Sequence, residues 1–301
     1  MSKVKRAYLF ACIFCVVSSL WRAPVFGWGY EIHGYINGEA AMLLPAEMKS
    51  FKSCAEYLVS QSAAPDEWKG FLDGEQYRHY VDIDFFGPPP FGSIRKSLND
   101  VIEKYGEGEA VSNGVVPWTI AEHCEMLTLF LKSSETFNYA MLCAAVMGHY
   151  VADAHQPLHT TENYDGQYTG NQGIHFRYES RTADVFFDGA VPRADNVRYV
   201  ADPLNFAFDF IIDSHDKISV ILAADTGHGN NLRALWADTA DMTRRQVEKA
   251  AEDLASLWYS AWKNAGSPKM EIKLKTPVGV YSEKDYQKML ALRDKLKISG
   301  K

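Results

Sequence analysis

The chain has 301 residues, 47% hydrophobic and 13% aromatic, a composition that buries a core and excludes a disordered chain. Its net charge of −7 offers no basic surface of the kind that holds duplex nucleic acid electrostatically. At this length one large core or two small ones can form.

In chain order, the first segment reads as an address rather than as structure. Lys3, Lys5 and Arg6 precede the apolar run Ala7 to Leu20, and Val25 and Gly27 stand where a signal peptidase needs small residues. Residues 1–27 are therefore expected to be a secretory signal peptide. A secreted or periplasmic protein would then begin at Trp28, with no transmembrane anchor after cleavage. A retained anchor helix is the alternative reading, and the shortness of the apolar run argues against it. Without 1–27 the balance becomes 27 basic against 38 acidic residues, or −11. Three cysteines remain, Cys54, Cys124 and Cys143, with neither zinc-finger spacing nor an obvious disulfide framework.

Helical periodicity then runs over Gly34 to Lys52, Trp118 to Lys132, Glu135 to Ala154 and Pro203 to Ala224. It continues over Asn231 to Asn264, as one long helix or two. Ala64 to Pro117 and Thr160 to Asn196 read as long loops, which in a helical protein tend to carry function. Residues 28–265 are expected to form one all-α domain, and 266–301 a polar, lysine-rich tail with one helix from Ser282.

The segment His149-Tyr-Val-Ala-Asp153-Ala-His155-Gln-Pro-Leu-His159 is the most informative in the chain. It follows YAMLCAAVMG, Tyr139 to Gly148, which is apolar on every side and so predicts a buried helix. His149 and Asp153, four apart, share one face of that helix. A buried Asp has to be paired or bound to a metal. Pro157 bends the chain and re-aims His159. Imidazole and carboxylate without cysteine suit a catalytic zinc site better than a structural one. His175 and Glu179 repeat the spacing of four, Asp66 and His79 flank the first loop, and His33 lies near the expected start of the mature chain. His155 reads as a rim or supporting residue, and His123, His215 and His228 as surface or capping residues. Tyr80, Tyr164 and Tyr168 lie near these positions, as packing or as stacking platforms.

The pattern His-x3-Asp-x2-Gln-Pro-Leu-His resembles the superfamily of zinc-dependent phospholipases C and secreted single-strand-specific zinc nucleases. The likeness extends from Trp28 to about Trp262. It implies a multi-helix domain with a cleft holding three Zn2+ ions. The first ion would take Asp66, His79, His149 and Asp153, and the second His159, His175 and Glu179. The third would take the free amine and carbonyl of Trp28, with His33 and the other oxygen of Asp153. The spacing of Trp28 and His33 looks like the nucleases. His175 with Glu179, and the short interval from His159, look like the phospholipases. Asn231-Leu-Arg-Ala-Leu-Trp236 imitates a nuclease motif but has arginine at the ligand position.

The resemblance implies a phosphodiester hydrolase using zinc-bound hydroxide, with Asp66 and Asp153 as catalytic carboxylates. Its substrate would be a phospholipid head group, favoured by Glu179, or single-stranded nucleic acid, with no stable protein partner implied. A non-catalytic, zinc-stabilised helical protein is the reading from a different class. The chain contains no His-Glu-x-x-His, no Gly-x-Ser-x-Gly and no Glu-x-x-His, which sets aside the zinc peptidase, serine hydrolase-elbow and bundled di-iron chemistries.

Overall fold

The computed structural model describes residues 28–94, 97–189, 196–269 and 283–299. The expected signal peptide lies outside them. All regular structure among the described residues is helical: α1 Tyr30–Leu43, α2 Lys49–Lys52, α3 Ala55–Ser60, α4 Ala64–Trp68, α5 Leu98–Tyr105, α6 Glu107–Ser112 and α7 Val116–Phe130. After these come α8 Phe137–Ala154, α9 Ile174–Tyr178, α10 Asp184–Phe186, α11 Pro203–His215, α12 Ile218–His228, α13 Leu232–Asn264 and α14 Glu283–Ser299.

The apolar helix α8 is the axis of the molecule. Every residue from Ala140 to Ala154 is buried, and α1, α3, α7, α11 and α13 all pack against it. Such a helix gains little from amphipathicity, since it has no solvent face to spare. The long α13 spans the domain and donates Trp258 Nε1 to Ala144 O of α8 at 3.2 Å. Its start is fixed by Asn231, whose side chain accepts from Ala234 N, and that of α11 by Asp202, which accepts from Asn205 N. Cys54, Cys124 and Cys143 are all buried and free.

Several boundaries differ from those read in the sequence. The helix expected over Gly34 to Lys52 stops at Leu43, because Pro45 forbids a continued α-helix; a 3-10 turn and the short α2 follow. Pro203 to Ala224 is two helices, broken around Asp216 and Lys217. Asn231 to Asn264 is one. The stretch 64–117 contains α4, α5 and α6, and 160–196 contains α9 and α10, so both are loops punctuated by short helices. Helix α14 packs on α7, with Tyr286 and Met289 buried.

Two local features bring ligand-type residues together. A Cβ on Gly148 would stand 1.7 Å from Asn37 Oδ1, so the glycine lets α1 approach α8 closely. Asn37 Nδ2 ties that crossing, donating to Leu58 O at 2.9 Å and Ala145 O at 3.0 Å. After α9 the chain makes one turn of π-helix, Glu179–Ala183. Wide turns of this kind re-aim a side chain within a helix and occur often at functional sites.

Candidate metal centre

Asp153, the last residue but one of α8, is the hub. Its Oδ2 lies 2.8 Å from His79 Nδ1 and 3.2 Å from His149 Nε2; its Oδ1 lies 3.6 Å from His33 Nε2 and 3.7 Å from His159 Nδ1. Asp66 Oδ1 completes the first cluster at 3.6 Å from His149 Nε2 and 3.8 Å from His79 Nδ1. Beyond it, His175 Nε2 stands 2.7 Å from Glu179 Oε2 and 3.2 Å from His159 Nε2. Among the described residues three groups could therefore hold metal ions: His33, His149 and Asp153; Asp66, His79 and His149; and His159, His175 and Glu179. Every histidine and carboxylate expected as a ligand falls into one of them. Trp28 leads directly into α1, is fully buried and packs on Tyr178 with ring centroids 5.7 Å apart. Its expected role as amine ligand depends on the bond to residue 27, outside the described residues.

The hydrogen bonding around these groups leaves ring nitrogens free to hold an ion. His149 Nδ1 donates to Ser62 O at 2.9 Å and His159 Nδ1 to His79 O at 2.8 Å, while His175 Nδ1 faces Tyr164 O at 3.3 Å. A carbonyl only accepts, so each ring carries its hydrogen on Nδ1 and turns the Nε2 lone pair inward. Two such lone pairs converge on each other at His159 and His175, an arrangement that repels unless a cation or proton lies between. His33 Nδ1 and Nε2, Asp153 Oδ1 and Glu179 Oε1 are buried without a hydrogen-bond partner. Unsatisfied buried polar atoms cost about 1–3 kcal/mol each, and several aimed at one point are what a metal ion relieves.

Charge follows the same lines. Burial, then His149, push His33 down to about 3, which leaves it neutral with a free lone pair. Burial opposes the ionised form of Asp153, but His149 and His159 overcome it and hold the carboxyl well below its usual range. Asp66 is likewise held low against its burial, by His149, Lys69 and His79. His149 answers in the other direction: burial disfavours its charge, yet Asp153 and Asp66 raise it to about 10. The carboxylates thus create a strong cation site at that ring, and metal and proton compete for it.

Supporting residues that the sequence reading passed over are also visible. Gln156 donates Nε2 to Glu179 Oε2 at 3.0 Å and accepts from Leu158 N, which fixes the bend before His159. Asp165 accepts from Gly173 N and His175 N and so sets the start of α9. Glu75 lies one turn before His79, a spacing of four that the sequence displays. Lys69 Nζ is 2.7 Å from Asp66 Oδ1.

Two expectations are corrected. For His155 only the rim alternative falls, not the supporting one: it is fully buried, with Nδ1 2.8 Å from Val151 O, Nε2 3.2 Å from Asp253 Oδ2, and its ring stacked on Phe210. His123 is not on the surface; it is buried in α7 with Nδ1 2.7 Å from Thr119 O. His123 lies on the buried side of α7 and His155 at the buried C-terminal end of α8. His215 is half-buried against Thr160 O, and His228 pairs with Asp238 at the surface. Tyr164 and Tyr168 are exposed at 44% and 72%, and Tyr164 sets its ring edge against His175. Tyr80 donates to Ser112 O.

No family model matches the chain. A probable serine protease of Bradyrhizobium tropiciagri is 22% identical over 188 residues, covering 50% of this chain and 24% of that protein. The chain thus spans about a quarter of the length of the curated relative it matches. Among the described residues the buried serines Ser62, Ser214, Ser256 and Ser260 each donate Oγ to a backbone carbonyl.

Proposed function

We propose that this protein is a metal-dependent phosphodiester hydrolase, with zinc ions held by the three residue groups and a phospholipase C-like preference. The observation that carries the reading is Asp153, buried, with one oxygen turned to His79 and His149 and the other to His33. Imidazole and carboxylate donors with no thiol among them suit Zn2+. When bound, such ions supply acidified water at neutral pH and neutralise charge gathering on a phosphoryl group.

The chain's own residues supply position and proton handling. Asp66 and His175 are slightly open to solvent while His33, His149 and Asp153 are sealed, so substrate enters on the side of Asp66 and His175. Asp66 Oδ1, kept ionised, accepts a hydrogen bond from the attacking water; its low proton affinity makes it an orienting acceptor more than a reservoir for the proton. Asp153 and Glu179 fix the histidines around them, and Nδ1 contacts to backbone carbonyls keep the rings of His149, His159 and His175 from turning. Tyr164, beside His175, offers an exposed ring to whatever carries the phosphate.

The reading is tested on purified protein with bis(p-nitrophenyl) phosphate, before and after chelation and with zinc restored. Release that is lost on chelation and returns with zinc is expected; release indifferent to chelator defeats the proposal. Parallel assays on phosphatidylcholine and on single-stranded DNA and RNA choose between phospholipase and nuclease substrates. Zinc bound without turnover of any of these substrates favours the non-catalytic alternative.

A further inference from the structure

One buried carboxylate outside the ligand groups, Glu75, faces His79. Glu75 is 1% exposed, sets Oε1 3.4 Å from His79 Nε2 and accepts a 2.6 Å hydrogen bond from the Tyr150 hydroxyl. Tyr150 follows His149 in α8, so one carboxylate touches His79 itself and the neighbour of His149. Arg78 lies between, its guanidinium 5.5 Å from the Tyr150 ring centroid and its Nε 4.0 Å from Glu75 Oε2. Burial disfavours the charge on Glu75, but His79 and Arg78 outweigh it and lower the carboxyl below its ordinary value.

From Arg78 the contacts leave this segment for the far end of the chain. Arg78 Nη1 donates to the Tyr286 hydroxyl at 2.8 Å and Nη2 to Glu122 Oε2 at 3.3 Å; Glu122 is paired in turn with Arg293. Tyr286 and Arg293 both belong to α14. The Tyr286 ring also lies against Trp68, with centroids 4.5 Å apart, two residues beyond Asp66. A single tyrosine of the last helix therefore touches residues beside two ligands of the Asp66, His79 and His149 group.

We propose that α14 is a buttress of the metal centre, in which Glu75 is a positioning residue for His79 and Tyr286 holds Arg78 and Trp68 in the places that Glu75 and Asp66 require. The inference rests on reading His79 as a metal ligand. Glu75 Oε1, 3.4 Å from His79 Nε2, is placed to take that nitrogen's hydrogen, which leaves Nδ1 to face Asp153 and Asp66. A carboxylate behind a ligating imidazole makes the ring a better donor, and loss of such a partner weakens metal binding about 10–100-fold. Because Arg78 reaches Glu75 and Tyr286 together, loosening α14 is felt at His79 through Arg78 and Glu75.

The test uses the exported protein, loaded with zinc and titrated with a competing chelator, alongside thermal unfolding of the chelated protein. The variants are Glu75→Gln, Tyr286→Phe and Arg293→Gln, with Lys288→Ala, an exposed α14 residue, as control. For Glu75→Gln, one of the three zinc equivalents implied by the three groups should leave at about 10-fold lower chelator or less, the other two staying as in the unaltered chain. Tyr286→Phe and Arg293→Gln should shift the same equivalent in the same direction, and Lys288→Ala should not. Retention by Tyr286→Phe and Arg293→Gln equal to that of the control overturns the buttress, as does a shift of all three equivalents together. An unaltered chain that holds no zinc removes the underlying metal reading instead, and the buttress with it.

Discussion

Asp153 faces two groups at once, so its substitution should do more than remove one ligand. Asp153→Asn keeps the shape but loses the charge that pulls His149 up and that any shared ion needs. Activity on bis(p-nitrophenyl) phosphate should fall by at least two orders of magnitude, with zinc content lowered by more than one equivalent. Near-normal turnover and full metal content in that variant would show that the carboxylate is not shared. A second residue-scale prediction concerns Asp82, which burial, Asp84 and Glu162 raise to about 7. The unfolded value is about 3.9, so between the two the folded chain holds the extra proton and stability falls as pH rises. Asp82→Asn should therefore stabilise the chelated protein more at pH 8 than at pH 5, read from denaturant midpoints. An equal gain at both pH values would mean the carboxyl does not titrate there. The spacing of four at His149 and Asp153, and again at His175 and Glu179, was legible because helix geometry turns it directly into a shared face. Glu75 shows the same spacing to His79 yet has no second ligand in the chain beside it to attract notice. Burial of His123 and His155 had no local signal, because an imidazole in an apolar run looks the same whether it meets water or Asp253.

At the scale of elements, the crossing of α1 over α8 positions His33 against His149, their rings stacked 4.0 Å apart. Gly148 permits that crossing and Asn37 ties it. Gly148→Ala should cost roughly 2–4 kcal/mol, since the new methyl displaces Asn37 and breaks its two buried hydrogen bonds. Zinc held by the His33 group should be lost before the rest. An unfolding midpoint within error of the parent chain would mean that α1 yields at no cost. The helix α8 itself could be read from sequence, because an unbroken apolar run of that length has few other places to go. The helices of 64–117 were less legible: α4, α5 and α6 are five to eight residues long, too short for periodicity to declare itself. The π-turn at Glu179 leaves no mark in composition at all. The docking of α14 was hidden too, since two buried side chains on an otherwise charged helix hardly differ from a solvated one.

For the whole molecule, the expected start at Trp28 makes the N-terminus part of the chemistry. On the proposed reading its amine binds metal only when free, as amine and carbonyl of one residue form a small chelate ring. Protein beginning Met-Trp28, with the Met confirmed by mass, should fold but hold less zinc and turn over slowly; exported protein should be fully active. Equal zinc and activity in both preparations would show that Trp28 is not a ligand. No helix among the described residues is long and apolar enough to cross a membrane. The three buried thiols point to one more property. All three are free: Cys124 lies against Met147 and Cys143 against His123 O. No cross-link among them holds the helices, so the redox potential of the medium has little purchase on this fold. A phosphine reductant should leave the unfolding midpoint where it was, while a chelator lowers it. Ion supply rather than oxidation would then decide when the newly made chain becomes a finished one.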